Sequence, residues 1–357
     1  MTLCIGLMSG TSADGMDACL VDISNDQFRY VDALCVEYPA EITQFLQALA
    51  GSEVLSAELV MDADRLIAQY SVQAIVQLLE KHNLCPADIA FAASHGHTLR
   101  HRPQPDGFSW QIGDPSWIAE HTGVTCVADF RRRDIAAGGH GAPLVPAFHR
   151  FMLNGDSETA IVNIGGIANV TLPDGTGFDT GPGNILMDEF CRQAFNEPCD
   201  YFGAKAASGN TIEALLNQWL THPYFSELPP KSTGREVFNL AALNTDLSHY
   251  SHEDILNTLT ELTARSIADA VKLHSPECKR LLICGGGAKN IWLKKRLADH
   301  LPGVEVKDTQ AIAIDPDWME AMAFAWLGWR TINSLSGNLP AATGADGERI
   351  LGGIYPA

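Results

Sequence analysis

The sequence lacks the features that mark membrane proteins and disulfide-stabilised secreted proteins. No apolar run approaches the ~20 residues that span a bilayer, and no basic region precedes the first apolar residues, which argues against a secretory signal. The nine cysteines are odd in number and form no C-x-x-C pair. We therefore expect reduced thiols, mostly in the core of a cytoplasmic protein.

Positive charge is also scarce. The chain has 24 Lys and Arg residues against 43 Asp and Glu residues, which gives a formal net charge of −19. This excess of negative charge disfavours nucleic acids and anionic membranes as partners. An anionic substrate would have to find a local positive field in order to bind.

The length and the apolar pattern fit a globular enzyme. A chain of 357 residues, 46% of them hydrophobic, is longer than one core usually serves, so we expect two domains. Strand-like and helix-like spacings alternate, which predicts an α/β fold with parallel strand pairing. The predicted strands include residues 3–7, 18–23, 88–96 and 159–172, and the predicted helices are 58–82, 253–274 and 317–335. Each half opens with a strand–glycine turn–strand unit, so we expect two similar halves around a cleft.

The turn at residues 8–17, MSGTSADGMD, has more polar groups than a hairpin needs. Residues 1–60 contain one basic and nine acidic residues, so a phosphate bound here would depend on peptide N–H groups and hydroxyls. The residues that could supply these groups are Gly10, Thr11, Ser12 and Gly15. Asp14 or Asp17 would repel the phosphate unless Mg²⁺ lay between them. An ordinary polar turn is the alternative, and it stays open.

Two further glycine motifs are candidates for nucleotide contacts. In NIGGIANV, Gly165 and Gly166 interrupt a strand pattern, which indicates either a phosphate contact or a bulge. In ICGGGAKN, residues 285–287 would let a flat adenine or ribose lie against bare backbone. A plain strand-to-helix turn is the alternative for this second motif.

The segment FDTGPGN, residues 178–184, contains a candidate general base. Asp179 is predicted to lie just after a strand, and Asn184 to open the following helix. A carboxylate at a strand end that faces a helix N-terminus is well placed to accept a proton. A turn or N-capping role for this aspartate is the alternative.

An arginine triplet, residues 131–133, is the clearest candidate for an anion site in so acidic a chain. A solvated run of charge is the usual explanation of such triplets, but apolar residues and glycines flank this one. Nearby histidines could suggest a metal site, but no third ligand stands at a recognised spacing. These histidines are His95, His97, His101 and His140.

The motifs follow one another in an order that resembles a known family. They are GLMSGTSADGMDACLVDI, SHGHTLRHRP, QIGDP, VADFRRRDIAAGGHGAPLVPAFH, NIGGIANVT, FDTGPGN, KSTGREVFN, ICGGGAKN and DWMEAMAFAWL. Together they resemble the anhydro-N-acetylmuramic acid kinase family of peptidoglycan recycling, over essentially the whole chain. The resemblance implies two actin-like, ribonuclease H-like domains around a nucleotide cleft. We place these at 1–130 and 131–335, with a C-terminal tail at 336–357.

The resemblance also implies an activity. ATP and water would convert 1,6-anhydro-N-acetylmuramic acid into N-acetylmuramic acid 6-phosphate, with Asp179 as the base, Mg²⁺ as the metal ion and the cytoplasm as the location. A homodimer is compatible with the resemblance, and no nucleic acid or membrane partner is expected. Arg131 is our candidate for the lactyl carboxylate of the sugar, Glu320 for support of the sugar site, and Asp14 for the metal. The candidate nucleotide contacts are Gly10, Thr11, Ser12, Ala13, Asp14, Gly15, Met16, Asp17, Gly165, Gly166, Gly285, Gly286 and Gly287.

Two other functions are compatible with the residues. An ordinary hydroxyl kinase would use Asp179 to deprotonate an alcohol of an intact amino sugar. A nucleotide-gated binding protein would use the same glycine turns without catalysis. Turnover of the anhydro sugar against the reducing sugar, and ATP consumption with any amino sugar, distinguish these functions.

Overall fold

The chain folds into two compact units, each with its own sheet and its own core. Unit 1 comprises Met1–Phe148 and Trp318–Ala357, and unit 2 comprises His149–Asp317. Each unit encloses a separate cluster of buried apolar side chains. The residues that this computed structural model describes are 2–10, 12–24, 27–52, 54–102 and 104–357.

Strands and helices alternate along the chain, as the apolar spacing predicts. The strands are β1 (Leu3–Ser9), β2 (Gly15–Ser24), β3 (Gln27–Glu37), β4 (Ile89–Arg102), β5 (Phe108–Ile112), β6 (Cys126–Ala128), β7 (Thr159–Ile164), β8 (Ile167–Thr171), β9 (Gly177–Pro182), β10 (Arg280–Cys284), β11 (Glu305–Asp308) and β12 (Gly353–Tyr355). The α-helices are α1 (Ala40–Gly51), α2 (Ala57–His82), α3 (Pro115–Thr122), α4 (Arg132–Ala136), α5 (Val145–Leu153), α6 (Ile185–Phe195), α7 (Ala204–Ser208), α8 (Glu213–Leu220), α9 (His252–His274), α10 (Ile291–His300), α11 (Met319–Ile332) and α12 (Pro340–Thr343).

The two sheets share one topology. In unit 1 the order is β3-β2-β1-β4-β6, with β12 beyond β6 and β5 paired to β4; in unit 2 it is β9-β8-β7-β10-β11. In each unit the first three strands pair antiparallel and the last two join in parallel. This repeated order is that of the ribonuclease H-like fold, so the prediction of two related α/β domains is confirmed. The sheets are mixed, because each glycine turn closes a hairpin that only antiparallel strands can share.

The unit boundaries differ from those that we placed on the sequence. Residues 131–148, 318–335 and the predicted tail 336–357 all belong to unit 1. Within the second of these segments, α11 packs directly on β1, β2 and β4 of that unit. A Cβ added at Gly6 of β1 would lie 1.9 Å from the Ala321 carbonyl oxygen of α11. Glycine at this position therefore allows the helix to approach the strand closely.

Two long helices match their predicted bounds closely. The predicted helix 58–82 is α2, which ends at Asn83 in the left-handed conformation, with φ 52°. The predicted helix 253–274 is α9, and Ser251 caps its first turn by accepting a hydrogen bond from the Asp254 N–H. In the part of the chain that the structure describes, helices long enough to cross a bilayer are too polar to do so.

A buried acidic group joins α9 to α10 in unit 2. The Glu261 carboxylate accepts hydrogen bonds from Arg296 Nε, at 2.7 Å, and from His300 Nε2. Burial alone would raise the pKa of Glu261, but the bonds from Arg296 and His300 outweigh it and hold the pKa below the ordinary value of 4.5. The carboxylate therefore stabilises the folded unit at neutral pH.

Replacing Glu261 with glutamine should lower the stability of unit 2 at neutral pH. It should also reduce the dependence of that stability on pH in the acid range. Because the folded pKa is lowered, the stabilising contribution is complete above the ordinary pKa and is lost as pH falls through the folded value. At pH 7 we expect the free energy of unfolding to fall by about 2 kcal/mol. Urea titrations at pH 7 and at the lowest pH at which unit 2 still folds measure this, with the exposed Glu277 changed to glutamine as control. Equal losses at both pH values would contradict the prediction.

Candidate active site

The turn between β1 and β2 directs two polar side chains outward. The Ala13 N–H donates to the Gly10 carbonyl at 3.1 Å, and Ala13 has a positive φ of 54°. Ser12 and Asp14 are exposed, and Ser12 Oγ donates to Asp14 Oδ1 at 2.8 Å. The turn therefore presents one hydroxyl and one carboxylate at the surface of unit 1. Thr11 lies outside the described residues.

A chain of hydrogen bonds holds the start of this turn in unit 1. The Tyr38 hydroxyl donates to Ser9 Oγ at 3.0 Å, and Ser9 Oγ bonds His97 Nδ1, also at 3.0 Å. On the far side, the Thr43 hydroxyl donates to the Ala13 carbonyl at 2.7 Å. These contacts fix the backbone of the turn and leave Ser12 and Asp14 facing solvent.

The other residues of this turn that are predicted to contact the nucleotide could do so through their peptide groups rather than their side chains. Ala13 and Met16 are buried in the core of unit 1, and Asp17 is half-buried on β2. A Cβ at Gly15 would lie 2.5 Å from Cys35 Sγ, so packing against β3 already accounts for this glycine. Contacts between a phosphate and Ala13, Gly15 or Met16 would have to come from their peptide groups.

The structure brings the two glycine motifs of unit 2 together. Gly165 and Gly166 form the β7–β8 turn rather than a bulge, and their carbonyls accept from the N–H groups of residues 183–184 at 2.8 Å. A Cβ on Gly285, which has φ +76°, would lie 2.3 Å from Asn163 Oδ1 of β7. Both motifs therefore lie at the carboxyl ends of β7 and β10, where bare backbone is available to a ligand.

Asp179 lies inside β9 rather than just after a strand, which corrects the sequence interpretation. Its side chain is buried, and Oδ2 accepts a hydrogen bond from the Thr233 N–H at 2.9 Å. The backbone is held on both sides, since the Asp179 carbonyl accepts from the Tyr224 hydroxyl at 2.7 Å and its N–H donates to the Lys231 carbonyl at 3.1 Å. These bonds fix the backbone on both sides of Asp179 and orient its carboxyl group.

A buried lysine accompanies this aspartate. Lys231 Nζ donates to the Tyr224 carbonyl at 2.9 Å and lies 4.5 Å from the Tyr224 ring centroid. Burial lowers the pKa of Lys231, while the negative charges of Glu227 and Asp179 oppose that change. Lys231 thus lies beside Asp179, whose backbone N–H bonds the Lys231 carbonyl. The sequence signal for this group is the KSTG motif, residues 231–234, to which spacing alone assigns no role.

Only one member of the arginine triplet points into unit 1. Arg132 and Arg133 are exposed, and Arg132 pairs with Asp129 at 2.6 Å, so a solvated charge run describes these two. Arg131 instead donates through Nε and Nη2 to His95 Nε2, at 3.1 and 2.9 Å. Its Nη1 donates to the Gly141 carbonyl at 2.8 Å.

Glu320, the candidate for support of the sugar site, lies near enough to Arg131 for the two charges to interact. Glu320 stands in the first turn of α11. Burial raises the pKa of the Glu320 carboxyl, and the charge of Arg131 acts against that rise. Both candidates for the sugar site therefore belong to one polar cluster in unit 1.

The described residues contain no group of three or more histidine, cysteine or acidic side chains arranged to hold a metal ion. Mg²⁺, however, is commonly held by one or two carboxylates together with substrate phosphates and water. The exposed carboxylate of Asp14, which keeps one oxygen outside its bond to Ser12, fits that smaller requirement.

The fold and the site define the class. Two units with one ribonuclease H-like strand order, and glycine turns at the carboxyl ends of their strands, are the arrangement of the actin-like ATPases and sugar kinases. The family model described as anhydro-N-acetylmuramic acid kinase matches residues 2–357. The chain belongs to the anhydro-N-acetylmuramic acid kinase family. The predictions of that family, of a kinase and of nucleotide use are therefore confirmed.

Relatives with this name are similar to the chain over its whole length. The anhydro-N-acetylmuramic acid kinase of Shewanella putrefaciens (strain CN-32 / ATCC BAA-453) is 49% identical, with 99% of this chain and 98% of the relative covered. The enzyme of that name from Xanthomonas campestris pv. campestris (strain 8004) is 47% identical, with 99% and 97% covered. That from Hahella chejuensis (strain KCTC 2396) is 46% identical, with 99% and 98% covered.

Proposed function

We propose that this protein uses ATP and water to convert 1,6-anhydro-N-acetylmuramic acid into N-acetylmuramic acid 6-phosphate in peptidoglycan recycling. Family membership supports the overall reaction. The observation that carries the assignment of the base is the buried Asp179 carboxylate, oriented by the Thr233 N–H at 2.9 Å. A cytoplasmic location and a homodimer remain predictions.

Asp179 acts as the general base. It accepts a proton from a water molecule whose oxygen forms a bond to C1 of the sugar, while the C1–O6 bond breaks. The electron pair of that bond stays on O6, which then takes the γ-phosphoryl group of ATP, and ADP leaves. A positioned base contributes about 10²–10⁴-fold, so alignment of water, sugar and phosphate supplies the rest.

Groups beside Asp179 are suited to a polar substrate. In the described chain, Ser232 Oγ and Thr233 Oγ1 are buried and have no hydrogen-bond partner. Buried hydroxyls without partners are rare in folded proteins, because each lost hydrogen bond costs free energy. Sugar hydroxyl or acetamido groups would satisfy both side chains.

The glycine turns are proposed to bind the nucleotide. In unit 1 the turn Gly10–Asp17, including Thr11, would contact the phosphates through peptide N–H groups and the Ser12 hydroxyl. In unit 2, Gly165 and Gly166 would contact phosphate and residues 285–287 the adenosine. Asp14 would hold Mg²⁺, which supplies neutralisation of phosphate charge when it is bound.

The cluster in unit 1 is proposed to recognise the sugar. Arg131 would receive the lactyl carboxylate, because a guanidinium matches the geometry of a carboxylate. Glu320 would accept a hydrogen bond from the sugar or donate one when it is protonated. The raised pKa of Glu320 makes the protonated form more accessible than for an exposed glutamate.

Reaction in ¹⁸O-water is expected to label the C1 hydroxyl of the product and to leave the new phosphate group unlabelled, because water attacks carbon. Mass spectrometry of product fragments locates the label. Unlabelled product kept in ¹⁸O-water for the same time corrects for exchange at C1. Label in free phosphate with the sugar intact would show ATP hydrolysis instead, and an unlabelled C1 would exclude the proposed attack.

A further inference from the structure

His95 is a buried histidine to which the proposed reaction gives no role. It lies in β4, is 4% exposed, and packs against Phe324 of α11 with ring centroids 4.6 Å apart. Its two ring nitrogens have different partners. Nδ1 lies 3.0 Å from the Gly96 carbonyl oxygen, and Nε2 faces both Nε and Nη2 of Arg131.

These partners fix the tautomer of His95. A carbonyl oxygen can only accept, so Nδ1 carries the proton and donates to Gly96. Nε2 then has a lone pair and accepts from the guanidinium of Arg131. A protonated ring would place an N–H against two N–H donors of a cation. Burial is the larger cause and the charge of Arg131 the smaller cause of a lowered pKa of His95. A lowered pKa agrees with a neutral imidazole.

The acceptors of these bonds matter for the charge of Arg131. His95 Nε2 and the Gly141 carbonyl are both neutral, so they orient the guanidinium without cancelling its positive charge. A carboxylate in the place of His95 would orient Arg131 as well, but it would neutralise it. Arg131 also acts on the carboxyl of Glu320, where its charge opposes the rise in pKa that burial causes.

We infer that His95 is a positioning residue that holds Arg131 as a receptor for the carboxylate of the substrate. This inference rests on the proposed function, in which Arg131 meets the lactyl group. The His95 imidazole fixes the direction of the guanidinium from the side of β4, and the Gly141 carbonyl fixes it from the chain that follows α4. In a chain with net charge −19, the pair provides the local positive field that an anionic sugar needs.

Two amide substitutions at His95 separate positioning from packing. In H95N the shorter amide can still bond Gly96 but falls short of Arg131, so we expect KM for the lactyl sugar to rise at least tenfold. In H95Q the amide oxygen lies near the position of Nε2, so we expect KM to return to within about threefold of wild type. KM for ATP and kcat should change by less than about threefold in both variants. Melting curves show whether each variant is folded, and H95L replaces H95N if that variant is not.

The same anhydro sugar without its lactyl group is the matched substrate, and calorimetric binding of both sugars complements the kinetics. H95N should weaken binding of the lactyl sugar alone, which would support the inference. Equal weakening of both sugars, or no recovery in H95Q, would overturn it. R131A separates the two proposals: an unchanged KM for the lactyl sugar would refute the role of Arg131 itself. A raised KM in R131A with normal KM in H95N would refute only the role of His95.

Discussion

Replacing Asp179 with asparagine is expected to lower kcat by about 10²–10⁴-fold, because the amide cannot accept the proton of the attacking water. The fold should persist, since the oxygen of the introduced amide can still accept from the Thr233 N–H that now bonds Asp179 Oδ2. Steady-state kinetics with the anhydro sugar, together with calorimetric binding of an ATP analogue, measure the two effects separately. We expect nucleotide affinity to stay within about threefold of wild type.

A matched variant controls for the change of charge in D179N. Asp174 is exposed in the β8–β9 turn, where its carboxylate accepts from the Thr176 N–H at 2.8 Å. D174N removes the same charge from the same hairpin and should keep wild-type kcat. If D179N retained more than a tenth of the wild-type rate, Asp179 would not be the base. Loss of nucleotide binding in D179N alone would assign the aspartate to the nucleotide site instead.

The helices and hairpins of the fold were largely predictable, because short stretches of neighbouring residues determine them. Apolar spacing defined α2 and α9 nearly to the residue, and each strand–glycine–strand segment became a hairpin at the start of a sheet. The position of α11 was not predictable in this way. Its sequence shows that it is buried but not which sheet covers it, and it packs on β1 through Gly6, more than three hundred residues earlier in the chain.

The candidate site was predictable only in part, for the same reason. Scarcity of positive charge points to the arginine triplet 131–133 as a whole, and strand and turn signals point to Asp179. Their partners come from distant segments: His95 for Arg131, and Thr233 for Asp179. On the sequence, His95 and the histidines near it suggest only metal ligands. Ligand spacing is a local pattern, whereas acceptance of a hydrogen bond from an arginine 36 residues away is not.

Asp134 stabilises the segment that holds Arg131 in place. It is fully buried in α4, with 0% exposure, and its carboxylate accepts three hydrogen bonds within unit 1. The donors are the Gly141 N–H at 2.9 Å, Asn338 Nδ2 at 2.8 Å and the Thr343 hydroxyl at 2.8 Å. The first of these bonds holds the residue whose carbonyl accepts from Arg131. The other two attach the C-terminal segment to α4.

Changing Asp134 to asparagine is therefore expected to lower the free energy of unfolding of unit 1 by about 3 kcal/mol, because the new NH₂ group faces buried donors and leaves them unsatisfied. The melting temperature should fall by roughly 6–12 °C. Calorimetric melting measures this, and D346N, at an exposed aspartate in the same C-terminal segment, is the control. Because Gly141 would lose its support, KM for the lactyl sugar should rise while KM for ATP stays unchanged. If D134N had the same melting temperature as D346N, the three hydrogen bonds of Asp134 would contribute no net stability. A normal KM for the sugar would show that Arg131 keeps its orientation without them.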